Sequence, residues 1–192
     1  RQVELMSRMH RNEHCLEAAE PILSGRMTCS EVPEFTHGHV VRAYLRMGRV
    51  NEASELYRKA YDAIRGDNNY LATMGDLLLL LARTEKRRLG LNLISRHFQL
   101  ALDTTAVELR MRFLAGAGCF LEAMAKEPSK KVKIPVPRQL DCWNQEGEYA
   151  AEELASWCQA EATVLAREFD ARNGNEAYRR MLDDNRQLAG IS

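Results

Sequence analysis

Period-two runs of β-branched residues are nearly missing from this chain. Only VKIPV at 132–136 reads that way, which excludes an extensive sheet. Proline is scarce too: Pro21 and Pro33 stand alone, and the other three cluster at Pro128, Pro135 and Pro137. Long stretches are therefore free to be helical. An excess of one charge is also absent, with 27 Lys plus Arg against 27 Asp plus Glu, so no global field recruits nucleic acid or a membrane. The five cysteines (Cys15, Cys29, Cys119, Cys142, Cys158) are odd in number, scattered and never spaced as CxxC. That argues against a disulfide framework and for a reducing, cytoplasmic setting. The most apolar run, LLLLLA at 77–82, abuts Asp76 and is far too short to span a bilayer. No phosphate-cradling glycine loop, GxSxG or HExxH motif occurs, and nothing argues for an enzyme or a cofactor. The chain opens RQVELMSRMH, with neither an initiator Met nor the apolar core of a signal peptide, and reads as a piece of a longer protein.

What is present is helical patterning, in a composition of 45% hydrophobic and 28% charged residues that suits a globular protein. In RAYLRMGRVNEASELYRKAYDAI, residues 42–64, one helix ends through Ala43, Leu45 and Met47, and Gly48 supplies the positive φ of a helix terminus. Asn51 is expected to cap the next helix, whose inner face is Ala53, Leu56, Tyr57, Ala60, Tyr61 and Ile64. Two helices over so short a joint make a helical hairpin. Weaker copies flank it. Upstream, Cys15, Ala19 and Ile22 repeat the inner spacing after a turn near His10. Downstream, Gly90, Ile94 and His97 do so after Met74, Gly75, Leu78 and Ala82, giving three units of about 34 to 40 residues.

The middle unit resembles the tetratricopeptide repeat (TPR) family. Val40, Tyr44, Gly48, Ala53, Tyr57 and Ala60 match its pattern in type, while Val41, His37 and Arg65 stand where glycine, tryptophan and proline are usual. The likeness spans about half the chain. It implies an all-α fold, an α-solenoid of antiparallel hairpins over 1–102 that stack into a continuous core with a concave groove. Residues 103–192 would close the array. There LDTTAVELRMRFLAGAGCFLEAMA (102–125) is a long helix opened by a capping box of Thr105 and Glu108. A Pro/Lys-rich loop follows at 126–140. A second long helix runs from Glu148 to about Arg172 with Ala151, Leu154, Cys158, Ala162, Leu165 and Phe169 on one face. Asn173-Gly174 ends it, Asn175 caps a last helix, and about nine helices are expected in all.

Candidate sites follow from charge and geometry. The family resemblance implies that the groove-facing side of the first helices grips extended peptides, sometimes by their carboxylates. In that register the face presents Phe35, Arg42, Leu45 and Arg46, with Glu4 and Arg8 at the matching places of the preceding unit. Guanidinium forks suit carboxylates. The expected function is thus a non-catalytic scaffold that binds a peptide or a partner domain, including another domain of the same chain. The alternative is a nucleic-acid-associated helical repeat. It would use the basic loop 126–138, with Lys130, Lys131, Lys133 and Arg138, and the basic turn 83–88. That loop lacks interleaved aromatics for base stacking, and it can instead pair with the acidic segment after it. His10, His14 and Cys15 come nearest to metal spacing. They would need Cys29, His37 or His39 as further ligands, and the plainer reading places these histidines on a partly exposed face. Glu152-Glu153 and Asp183-Asp184 read as solvated faces.

Overall fold

The computed structural model describes residues 1–27, 32–125, 131–138, 140 and 142–191. Among them lie nine α-helices: α1 (Gln2–Arg8), α2 (Asn12–Leu23), α3 (Val32–Arg46), α4 (Val50–Ile64), α5 (Leu71–Arg83), α6 (Arg87–Asp103), α7 (Val107–Met124), α8 (Ala151–Asn173) and α9 (Ala177–Ala189). A 3-10 turn at Asn68–Tyr70 leads into α5, capped by Asp67, whose side chain accepts from the Asn69 N–H. The sole sheet described is a ribbon of β1 (Lys131–Lys133) and β2 (Glu148–Ala150), antiparallel with Val132 opposite Tyr149. The fold is all-α, as the period-2 scarcity demands.

One backbone device recurs at the joints of α1 with α2, α3 with α4, and α5 with α6. In each, the middle residue of a three-residue joint is left-handed: His10 (φ 56°), Gly48 (φ 70°) and Glu85 (φ 54°). In each, that residue and the next donate back to the helix just ended. Gly48 N–H reaches Leu45 O at 3.1 Å and Arg49 N–H reaches Tyr44 O at 2.8 Å. His10 and Arg11 do the same to Ser7 and Met6, and Glu85 and Lys86 to Ala82 and Leu81. The bonds satisfy carbonyls that a helix end leaves orphaned. Only Gly48 adopts this backbone without a Cβ penalty. Glu85→Gly is therefore expected to raise the unfolding free energy by about 1 kcal/mol, seen as a higher denaturant midpoint at unchanged slope. A lower midpoint would show that the Glu85 side chain contributes more than its backbone costs.

Helices α1, α3, α5 and α7 touch in succession, while α2, α4 and α6 each pack between neighbouring members of that row. The row closes up where side chains vanish. A Cβ on Gly75 of α5 would stand 2.5 Å from the Arg112 carbonyl oxygen of α7, and one on Gly116 would stand 2.3 Å from the Gly75 carbonyl oxygen. The two helices thus meet backbone to backbone. Leu77 to Leu81 and Phe113, Leu114 and Phe120 fill the core around that crossing, and α8 covers α7 with Leu154, Ala155, Cys158 and Ala162. A smaller apolar cluster of Val3, Cys15, Ala19, Val40 and Ala43 holds α1 and α2 on α3. Ala53, Ala60 and Ile64 are fully buried on the expected face of α4.

Three local expectations are corrected. Asn51 does not cap α4: the helix already starts at Val50, because the Gly48 turn aims the chain into it from Arg49. The Thr105–Glu108 box does not form. The α6 helix runs on through Leu102 and Asp103, the chain turns with Thr104 Oγ1 accepting from Ala106 N–H at 3.2 Å, and α7 begins at Val107 without a side-chain cap. Glu148 belongs to β2, and α8 begins at Ala151 because the ribbon claims the residues before it.

Candidate arginine cleft

The expected arginine face lies on α3, where Arg42 and Arg46 fall one turn apart, but it is not open to solvent. Arg42 is 5% exposed. Its Nη1 donates to Asp76 Oδ1 at 2.8 Å and to Asn185 Oδ1 at 2.7 Å, and its Nη2 to Asp184 Oδ2 at 2.5 Å. Arg46 grips the same Asp184 through Nε (3.2 Å) and Nη2 (2.7 Å), and its Nη1 reaches the Ser7 carbonyl at 3.1 Å. Arg112 of α7 closes the group, with Nη2 at 3.3 Å from Asp76 Oδ2. Three guanidiniums therefore share two carboxylates. Burial works against the charge on Arg42, but Asp76 and Asp184 outweigh it and hold the guanidinium pKa above its ordinary value. Burial likewise opposes the charge of Asp184, and the bonds from Arg46 and Arg42 win, keeping the carboxyl ionised below the usual range.

The carboxylate between the two arginines comes from α9. This helix contacts α3, α5, α7 and α8, so it sits against the row of odd-numbered helices. It follows the left-handed turn at Gly174 (φ 65°) that closes α8, and its first N–H groups are held by Asp170 of α8, whose Oδ1 and Oδ2 accept from Tyr178 and Arg179 at 2.9 Å each. Asn175 does not cap the helix, whose N-cap is Glu176 without a side-chain bond; its Oδ1 accepts from Ala177 N–H two residues on, a local turn ahead of α9. Further on, Arg186 forms a two-pronged pair with Glu122 of α7 at 2.7 and 2.8 Å.

Beside α9 a cleft of about 550 Å³ stays open between α1, α3, α7 and α9. Arg8, Arg46, Arg112 and Arg180 line it, with His39, Glu108 and the edge of Asp184. Arg8 and Arg180 are rim residues, with side chains 60% and 78% exposed, paired to Glu4 on α1 and to Glu176 just ahead of α9. Exposed pairs of that kind contribute little and exchange readily. Burial pushes the His39 imidazole down to about 4, so it faces the cleft neutral. The wall is thus cationic, while Asp76, Glu4 and Glu176 lie outside the lining.

The remaining candidates are dispersed. Leu45 is buried in the core, and Phe35 packs on Tyr70 with ring centroids 4.8 Å apart instead of facing the arginines. Lys131 and Lys133 reach Glu148 across the ribbon at 3.9 and 2.9 Å, and Arg138 stands over the Trp143 ring at 5.5 Å. That is the intramolecular pairing of the basic loop. Lys130 and Cys29 lie outside the described residues. His10 occupies the exposed α1–α2 turn, His14 is exposed, and Cys15 is buried with its thiol pushed up to about 11 by burial. Among the described residues no three His, Cys, Asp or Glu side chains gather as metal ligands, and no helix is long and apolar enough to cross a membrane. Asp184 corrects the reading of Asp183-Asp184 as solvated: Asp183 is exposed, Asp184 is not. Its neighbour in the network, Asp76, had one sequence signal, a lone carboxylate abutting five leucines.

Comparison with known proteins leaves this geometry to speak for itself: no protein-family model, no curated protein and no solved structure matches the chain.

Proposed function

We propose that this chain is a non-catalytic protein-interaction module, a TPR-like solenoid whose concave groove takes an acidic segment of a partner. Three features support the repeat reading: the joint that recurs at His10, Gly48 and Glu85, the contact row of α1, α3, α5 and α7, and the outer placement of α2, α4 and α6. The observation that carries the functional reading is α9, a helix of the chain itself that lies on that row with its Asp184 carboxylate held between Arg42 and Arg46. A surface that accepts the Asp184 carboxylate in this way has the charge to accept another carboxylate, and the cationic cleft beside α9 is where it would enter.

The saturated pair Arg42 and Arg46 is a poor place to test this, because their loss would disturb folding. Arg8 and Arg180 serve instead. Fluorescence anisotropy with a labelled acidic peptide is expected to show binding to the parent that weakens with salt and falls about tenfold or more in the Arg8→Ala/Arg180→Ala chain, the loss of one charge-assisted contact or two. Equal binding to both proteins would remove the cleft, and retention of the chain on heparin through Lys131, Lys133 and Arg138 would then favour the nucleic-acid alternative.

A further inference from the structure

We propose that the seat of α9 is itself a helix-docking surface. Its fitting partner is a helix that presents a carboxylate, an amide and an arginine in succession, and α9 is the built-in competitor for that seat. The inference rests on the reading of the chain as an interaction module and adds what the groove binds and how access is controlled.

The first observation is how polar the fully buried side of α9 is, with Tyr178, Met181 and Leu182 packing only half-buried on the core. Of Ala177 to Ala189 only Asp184, Asn185, Leu188 and Ala189 are buried, and two of those four are polar. Core helices of this molecule are of another kind: every residue of α5 from Leu71 to Ala82 is buried. The second observation is what holds α9 in place. Asp184 meets Arg42 and Arg46, Asn185 meets Arg42, and Arg186 meets Glu122. A second helix with the same three side chains would remake each of these bonds one for one, so exchange leaves no guanidinium stranded.

The third observation is the space left over. The cleft of about 550 Å³ flanks α9 on the side of α1 and α3, and another of about 310 Å³ flanks it on the side of α7 and α8, between Cys119, Gln159 and Leu182. The groove is wider than its occupant, whereas interiors close-pack. The fourth is the tether: α9 follows α8 through an exposed Gly174–Glu176 joint with Gly174 in the left-handed region. Asp170 pins the first N–H groups of α9, so the start of the helix stays anchored and it is the Asp184 end that exchanges.

Charge then decides the partner. With α9 gone, Arg42 would keep Asp76 but lose Asp184 and Asn185, and Arg46 would lose both bonds to Asp184. An apolar or basic helix would then leave buried positive charge poorly compensated. Glu122 asks for a cation two residues after that acid. The groove therefore selects an acid-amide-base triplet with an apolar residue about one turn on, the place of Leu188.

The experiment uses the full chain and a fluorescent synthetic peptide of residues 175–191. Asp184→Asn in the chain weakens its own α9 and raises the open fraction, so this variant is expected to bind the peptide about tenfold or more tightly than the parent does. A peptide carrying Asp184→Lys is expected to bind neither. A helical, folded Asp184→Asn chain that ignores the peptide overturns the proposal, as does equal binding of the Asp184→Lys peptide. If Asp184→Asn does not fold, hydrogen exchange of the parent decides. Amides of α9 that open before those of α5 and α7, and sooner in high salt, support it, and exchange of all three together overturns it. A dimer that trades α9 between copies and blocks the peptide would assign the seat to a second copy and overturn the partner reading. Acidic-peptide binding that depends on Arg8 and Arg180 is a separate readout, so it can survive the failure of this one, and the reverse.

Discussion

Arg42→Ala is expected to lower the unfolding free energy by about 3–5 kcal/mol, the cost typical of removing one partner from a buried ion pair. The guanidinium ties three helices at one point, since Asp76 belongs to α5 and Asp184 and Asn185 to α9. Its loss leaves Asp76 with Arg112 alone, at 3.3 Å through a single nitrogen, and leaves the Asn185 amide oxygen without its guanidinium donor. Removing side-chain volume adds a cavity where α3, α5 and α9 meet. Chemical denaturation of parent and variant measures the difference. Arg49→Ala is the control, because Arg49 pairs with the exposed Glu52, and its effect should stay within about 1 kcal/mol. A loss from Arg42→Ala as small as the control's would mean that the network is a by-product of the fold and does not fasten it.

Gly116→Val should also be severe, at about 3 kcal/mol or more, at or above the upper end of usual overpacking effects. The atoms its Cβ would strike are the carbonyl oxygen, carbonyl carbon and Cα of Gly75, between 2.3 and 2.8 Å away. These are backbone, and a helix backbone cannot rotate aside as a side chain can. The α5–α7 crossing would have to spread, which pulls Phe113, Leu114 and Leu78 out of contact. Gly66→Ala provides the comparison, because a Cβ there meets nothing within 4 Å. It should change stability by no more than about 0.5 kcal/mol. Thermal melts of the two variants settle the matter: similar melting temperatures would show that the helices can part cheaply and that the close crossing is not what aligns the row.

Much of this was legible in the residues. The all-α class followed from missing strand patterning. The face of α4 followed from Ala53, Ala60 and Ile64, because a helix repeats every 3.6 residues and writes its buried side directly into the spacing. Gly48 announced its turn, since only glycine enters that backbone freely. Turns were also expected near His10 and at 83–88, but neither His10 nor Glu85 signals a left-handed backbone, because there the following helix and the bonds to the preceding carbonyls impose it. The Asn51 and Thr105 caps misled for a related reason: a good capping residue is a local preference, and the joint geometry and the extension of α6 outweighed it.

Tertiary structure alone decided the state of the arginines. Arg42 and Asp184 are 142 residues apart, and Arg46 and Asp184 are 138 apart, so no window of sequence pairs them. The sequence marked where positive charge lies on α3, as spacing can. Whether that charge faces water, a partner or the chain's own carboxylate depends on where α9 comes to rest, and this is set by the Gly174 turn and by Asp170 holding the helix start. Helical faces are local and periodic, and a chain carries them in its order. Neutralising a buried charge takes contact between distant segments, and only folding brings those together.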